Sequence, residues 1–301
     1  MKKIMLAILA VSMIISVTAC GKNGQKATTK KEMPIFKIGA IPDQNASELN
    51  RNMGEMAKYL SETTGIKVEF VPSVEYAALV TSFERGDIKM AWFGGLTGVQ
   101  ARAVAQGSEA IAQRPRDAKF KSVFIAQKDL DVKKLEDLKG KSFTFGSESS
   151  TSGSLMPRHF LTKAGIDPEK NFNGAPNYSG NHDKTIALVQ SGAFQTGALN
   201  ISVWEKAIKE NKVDLTKVKA FYTTAEYFDY NWTINNDENI DNVYGAGTKE
   251  KIKQALLSMT ADKGGSQAEV LKFFQTDKFV ETNNENYKEI EEVGKKLGMV
   301  K

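Results

Sequence analysis

The stretch Phe145-Gly146-Ser147-Glu148-Ser149-Ser150-Thr151-Ser152-Gly153 follows a short β-forming run, Ser142 to Gly146, and precedes a helix-like segment with Leu155, Met156, Phe160 and Leu161 as its apolar positions. A strand that turns through glycine and small hydroxyl residues into a helix is half of a β-α-β unit. Open α/β sheets place ligands at such turns, where the carboxyl end of a strand faces a helix N-terminus. The first N–H groups of a helix have no intrahelical acceptor, and serine and threonine hydroxyls add short, rotatable donors. Six small residues around one turn make a compact donor cup for an oxyanion. An N-cap cluster accounts for part of the pattern and stands beside the cup reading.

The same alternation runs through the chain from Pro34. Strands are expected at Phe36 to Ile41, Val68 to Pro72, Ile88 to Phe93, Ser122 to Ala126, Ser142 to Gly146, Gln195 to Leu199, Val218 to Tyr222 and Trp232 to Ile234. Helices are expected between them: Ser47 to Thr64, with Ser47 as N-cap and Gly65 as stop, then Tyr76 to Glu84, Thr97 to Ala105, Ser152 to Ala164, Asp183 to Ser191 and Val203 to Asn211. From Lys249 onward the pattern is helical only. The pattern predicts an α/β protein with mostly parallel strands.

About 265 residues from Pro34 are too many for one typical core and suit two lobes. A polar break near Gln127 to Asp131 opens a second β-α-β series that closes near Phe228 to Trp232, so residues 34–127 plus 233–301 are expected to form lobe 1 and 128–232 lobe 2. Two crossings make a hinge, and a hinge makes a clamp with an interlobe cleft.

Three further segments are candidates for the cleft. Trp92-Phe93-Gly94-Gly95-Leu96-Thr97-Gly98 is a strand-to-helix turn whose glycines permit close backbone approach and whose N–H groups can point at an anion; it also reads as a plain turn. His182, in Asn181-His182-Asp183, sits where a helix begins and could donate to an anion, or could be a surface residue. Tyr76 starts an amphipathic helix, where an aromatic ring could serve packing alone.

The N-terminus bears on location. Lys2 and Lys3 precede an uncharged apolar run, Ile4 to Val17, that is shorter than the roughly 20 residues of a membrane-spanning helix. It ends in small residues at Val17-Thr18-Ala19-Cys20, the form of a cleavable export signal over residues 1–19. Val-Thr-Ala-Cys resembles a lipobox, which implies a diacylglycerol thioether on Cys20 and a membrane anchor. Cys20 is the only cysteine, so the exported body uses no disulfide. Residues 20–33 are polar and suit a flexible tether.

Composition narrows the function class. Without Lys2 and Lys3 the chain carries 39 basic and 36 acidic residues, a net charge of +3 with scattered lysines, which argues against nucleic-acid binding. His159 and His182 are the only histidines and neither joins a cluster of metal-ligating residues, so no metal and no cofactor are expected. A hydrolase is disfavoured because no Gly-x-Ser-x-Gly turn is present and His182 neighbours Asp183 on a turn.

These segments together resemble the phosphate, phosphite and phosphonate binding proteins of ABC importers, and within them a branch labelled selenate-binding. The resemblance rests on Ile41-Pro42-Asp43-Gln44-Asn45, Glu75 to Ala78, Trp92 to Arg102, Phe145 to Gly153 with Pro157, and Asn181-His182-Asp183. It implies that Tyr76, the turn at Phe93 and Gly94, Ser150, Thr151, Ser152 and His182 surround a small oxyanion, with Asp229 where phosphonate binders place a carboxylate acceptor. Phe93 replaces a frequent tyrosine. Ser202 stands nearest to where binders of aminated ligands carry a glutamate, which disfavours an aminoalkylphosphonate. The resemblance implies the two-lobed type II periplasmic binding protein fold and a monomeric lipoprotein that hands selenate, selenite, phosphite, phosphate or a phosphonate to a permease and its ATPase; a ligand sensor of the same fold is the alternative. If Asp229 lines the cleft, an anion that still carries a proton fits better than selenate or sulfate.

Overall fold

The structure, a computed structural model, describes residues 33–301; the export signal, Cys20 and the tether through residue 32 lie outside the described residues. Strands β1 (Phe36–Ala40), β2 (Val68–Phe70), β3 (Met90–Phe93) and β4 (Glu109–Gln113) come first. They are followed by β5 (Ser122–Gln127), β6 (Phe143–Phe145), β7 (Asn177–Tyr178), β8 (Thr196–Asn200) and β9 (Val218–Thr223), then β10 (Asn231–Ile234) and β11 (Val280–Glu281). They form two sheets, ordered β11-β4-β10-β3-β1-β2 and β7-β6-β8-β5-β9.

This pairing corrects the expected lobe boundary. Ser122–Gln127, assigned to lobe 1, is β5 and pairs with β8 and β9 in the second sheet, while Asn231 and Trp232, assigned to lobe 2, pair with β3 in the first. The apolar run of a strand shows that it is buried, not which sheet it joins; that choice is made by residues distant in sequence. The sheets are also mixed rather than mostly parallel, since β5 is antiparallel to both neighbours and β10 is antiparallel to β3 and β4. The tail is not wholly helical, because β11 pairs with β4. Short β7 and β11, and alanine-containing β4, carry too little period-two signal to read from sequence.

Both crossings therefore lie between β4 and β5 and between β9 and β10. There the two connectors run side by side: Phe120 and Tyr227 exchange backbone hydrogen bonds of 2.8 and 3.0 Å, and the Asp229 N–H donates to the Asp117 carbonyl at 3.0 Å. A buried Arg114–Asp117 ion pair at 2.6 Å braces one foot of this hinge, with the Arg114 guanidinium over the Trp92, Phe120 and Tyr230 rings.

Helix α1 (Ala46–Thr64) buries Leu49, Met53, Met56 and Leu60 against the first sheet's core and ends at Gly65 in the left-handed region, φ 70°. Its cap is Asn45, which accepts from the Glu48 N–H at 3.1 Å, rather than Ser47, which already lies within the first turn. α2 (Tyr76–Glu84) and α3 (Gly95–Val104) also belong to lobe 1; α4 (Met156–Lys163), α5 (His182–Gln190) and α6 (Ile201–Lys209) belong to lobe 2. Helices Thr248–Leu257, Gly265–Phe273 and Lys288–Lys296 pack residues such as Ile252, Val270 and Ile290 into the core of lobe 1. Two smaller apolar clusters serve the second sheet. Leu155 and Met156 of lobe 2 join the lobe 1 cluster, so the clamp is closed.

Candidate ligand-binding site

Residues Thr151–Leu155 wind as a single π-helical turn, a widened turn often found at functional sites. Ser150 caps it, its hydroxyl accepting from the Gly153 N–H at 3.0 Å. The Gly146 N–H donates to the Gly153 carbonyl at 2.8 Å, and a Cβ on Gly153 would stand 3.1 Å from the Gly146 Cα, so this approach of two backbones needs glycine. The amides of Thr151 and Ser152 head the turn with no partner among the described residues. Ser122 ties the turn to the hinge: its hydroxyl donates to the Ser152 carbonyl at 2.8 Å and meets the Tyr227 hydroxyl at 2.6 Å.

The Gly94 turn works differently from the expectation that its N–H groups face an anion. The Gly94 N–H meets the Thr97 hydroxyl at 3.1 Å, Gly95 donates to Asp229 Oδ1 at 2.9 Å, and Leu96 donates to the Thr151 hydroxyl oxygen at 2.9 Å. The first two amides of α3 are therefore spent on positioning Asp229 and on joining the lobes. The Phe93 ring lies edge-on to Phe83 at 5.4 Å in the core of lobe 1, so Phe93 reaches the cleft only through the backbone that follows it.

His182 is the first residue of α5 and is fully buried rather than exposed. Its Nδ1 accepts from the Asn200 N–H at 3.4 Å, which puts the ring proton on Nε2. Burial lowers its pKa to about 3, so the ring is neutral and Nε2–H is a donor. With its proton there, Nε2 cannot act as a base toward Ser152, and the two atoms make no bond with each other. The geometry is not that of a serine nucleophile with its base.

Asp229 stands at the hinge with Oδ1 held by Gly95 and Oδ2 buried without a partner. Burial raises its pKa to about 7, against the lowering effect of the Gly95 N–H and the Thr151 hydroxyl. The hydroxyls of Tyr76, Ser152 and Ser202 and the His182 Nε2 are likewise buried and unpaired. Leaving a buried polar atom unsatisfied costs about 1–3 kcal/mol, so such a set is the mark of a polar ligand site. Ser154, in the same π turn, adds another unpaired hydroxyl that sequence reading missed, although it continues the same run of small residues. Ser202 is the second residue of α6 and shares a narrow interlobe crevice with Asp43, Arg114, Asn200 and Tyr230. Tyr76 also borders a mouth of about 940 Å³ between the lobes, with Pro42, Ser147, Ser149, Tyr178 and Asn181. Among the described residues no group of His, Cys, Asp and Glu could hold a metal ion.

Two α/β lobes on a paired-strand hinge, closed over a polar cup, define a periplasmic binding protein. A profile described as "ABC transporter, phosphonate, periplasmic substrate-binding protein" matches residues 38–287, and the chain belongs to that family. It is 42% identical over 274 residues to the probable ABC transporter phosphite binding protein PhnD1 of Prochlorococcus marinus (strain MIT 9301), covering 89% of this chain and 91% of the relative. The structure of that protein in complex with methylphosphonate matches with a TM-score of 0.84 over 88% of this chain and 99% of the other. The phosphate-import protein PhnD of Mycolicibacterium smegmatis is 29% identical over 64% of each chain. The family acts outside the cytoplasm, and no described helix is long and apolar enough to cross a membrane.

Proposed function

We propose that this chain captures a small, singly protonated phosphorus oxyanion, of phosphite or methylphosphonate type, and delivers it to an ABC permease from a lipid anchor at Cys20. The observation that carries the choice of anion is the lone acceptor in a cup of donors. Hydroxyls of Tyr76 and Ser152, the His182 Nε2–H and the Thr151 and Ser152 amides surround deprotonated oxygens, while Asp229 Oδ2 takes the one remaining P–OH hydrogen. Selenate and sulfate have no such hydrogen to give. Hydrogen selenite does carry one, so the Asp229 acceptor alone does not discriminate against it.

Calorimetry of the soluble body with phosphite, methylphosphonate, phosphate, selenite, selenate, sulfate and 2-aminoethylphosphonate tests the reading. Phosphite and methylphosphonate are expected to bind most tightly and selenate and sulfate most weakly. Ser152→Ala should lower affinity for the preferred anion about tenfold through one lost hydrogen bond to a charge, with the melting temperature of the ligand-free protein unchanged. Preference for sulfate or selenate, or full affinity in Ser152→Ala, defeats the assignment.

The closed form also carries an interlobe ion pair, Lys206 to Glu48 at 2.6 Å, with both side chains partly buried. Glu48→Gln keeps a hydrogen-bond acceptor but loses the charge. It is expected to weaken anion binding about threefold at low salt and less at high salt, measured by the same calorimetry.

A further inference from the structure

His182 is useful to an anion only as an Nε2–H donor, and the structure shows an uninterrupted set of buried groups that holds it so. Asn200 N–H donates to His182 Nδ1 at 3.4 Å. The Asn200 amide cannot flip, because its Oδ1 caps α6 by accepting from the Ser202 and Val203 N–H groups at 2.6 and 3.2 Å. Its Nδ2 therefore points at the Tyr230 hydroxyl, 2.9 Å away. Burial keeps the Tyr230 phenol protonated, and that proton goes to Asp43 Oδ2 at 2.8 Å. The Asp43 carbonyl in turn accepts the His182 N–H at 3.1 Å, which closes the ring.

Two of these bonds cross between the lobes. Asp43 follows β1 and Tyr230 precedes β10, both on lobe 1; His182 starts α5 and Asn200 ends β8, both on lobe 2. Opening the clamp breaks His182 N–H to Asp43 and Asn200 Nδ2 to Tyr230 together. The Tyr230 ring is itself fixed, stacked on Trp92 at 5.6 Å with the Arg114 guanidinium 5.0 Å from its centroid.

We propose that Asp43, Tyr230 and Asn200 are positioning residues that form with His182 an interlobe hydrogen-bond ring, completed by closure, which fixes His182 as an Nε2–H donor. The inference rests on the anion reading above. None of the three is assigned to touch the anion; they set the tautomer and orientation of the group that does.

Tyr230→Phe tests it, since the ring packing is kept and only the hydroxyl is lost. Two readouts are taken: affinity for phosphite and methylphosphonate, and the ¹⁵N spectrum of the His182 ring, resolvable because the chain has two histidines. In the wild-type complex His182 should show one pure Nε2–H tautomer. Tyr230→Phe should bind about tenfold more weakly and show mixed or exchange-broadened His182 signals. Asp43→Asn, whose amide oxygen still accepts from Tyr230, should keep the wild-type tautomer. An unchanged His182 spectrum in Tyr230→Phe, whatever its affinity, overturns the ring while leaving the anion site standing. Failure of wild-type protein to bind either anion removes both readings.

Discussion

Phosphite binding is expected to weaken about tenfold for each pH unit above 7, and Asp229→Asn is expected to abolish that slope. The Asp229 carboxyl is pushed up to about 7 by burial, with Asp117 raising it further and Gly95 N–H, Thr151 and Arg114 lowering it. Its Oδ2 is buried without a partner. Carboxylate and anion can share a single proton, and it matters little which of them holds it in the complex. Above the pKa values of both free partners that proton must be taken from water, so log affinity falls by one for each pH unit. Below them both partners are protonated, one proton must leave on binding, and affinity falls again. The profile is a bell, with about a hundredfold loss between pH 7 and pH 9. In Asp229→Asn an amide replaces the shared proton. It can donate to a full dianion, so the high-pH limb flattens and sulfate or selenate gains relative to phosphite. Calorimetry in two buffers of different ionisation heat counts the proton directly. A flat wild-type profile would place Asp229 outside the binding equilibrium.

The parts of the proposed site legible in the sequence are those where chemistry sits on consecutive residues. Ser150 to Ser152 with Gly153, and His182 behind its Asn181 cap, announce themselves because helix starts demand caps and small residues. Asp229 was placed through the family resemblance, and its carboxylate does reach the Gly95 turn across 134 positions. Nothing local could reveal the ring through Asp43, Tyr230 and Asn200. Its members are single polar residues in apolar surroundings, and their meaning appears only when the lobes close. The lobe boundary failed for a related reason, because β5 satisfies the pattern of either sheet until β8 and β9 claim it. The glycines of the Gly94 turn do permit a close approach, but the group that approaches is Thr151 of the other lobe and not an anion.

The close approach of the two lobes at Gly94 makes Gly94→Ala a mutation of large expected effect. Gly94 has φ −77° and ψ 167°, which alanine adopts without strain, so Gly94→Ala adds only a methyl group. In the closed clamp that Cβ would stand 2.9 Å from the Thr151 hydroxyl oxygen and 3.3 Å from Asp229 Oδ1. Thr151 is on the opposite lobe, and its hydroxyl is already held by the Leu96 N–H. The cheapest relief is for the lobes to stay apart, which also loses the Leu96–Thr151 bond and lets water reach the cup. Overpacking of this kind costs about 1–3 kcal/mol and a lost hydrogen bond about 1 kcal/mol more. Gly94→Ala is therefore expected to bind phosphite about a hundredfold more weakly, with the ligand-free melting temperature unchanged. Small-angle X-ray scattering should show less compaction on adding ligand than in wild type. Gly54→Ala is the control, since a Cβ there meets nothing within 4 Å and alanine favours the helix; it should bind as wild type and melt no lower. Wild-type affinity and full compaction in Gly94→Ala would mean that the Gly94–Thr151 approach is not what closure depends on.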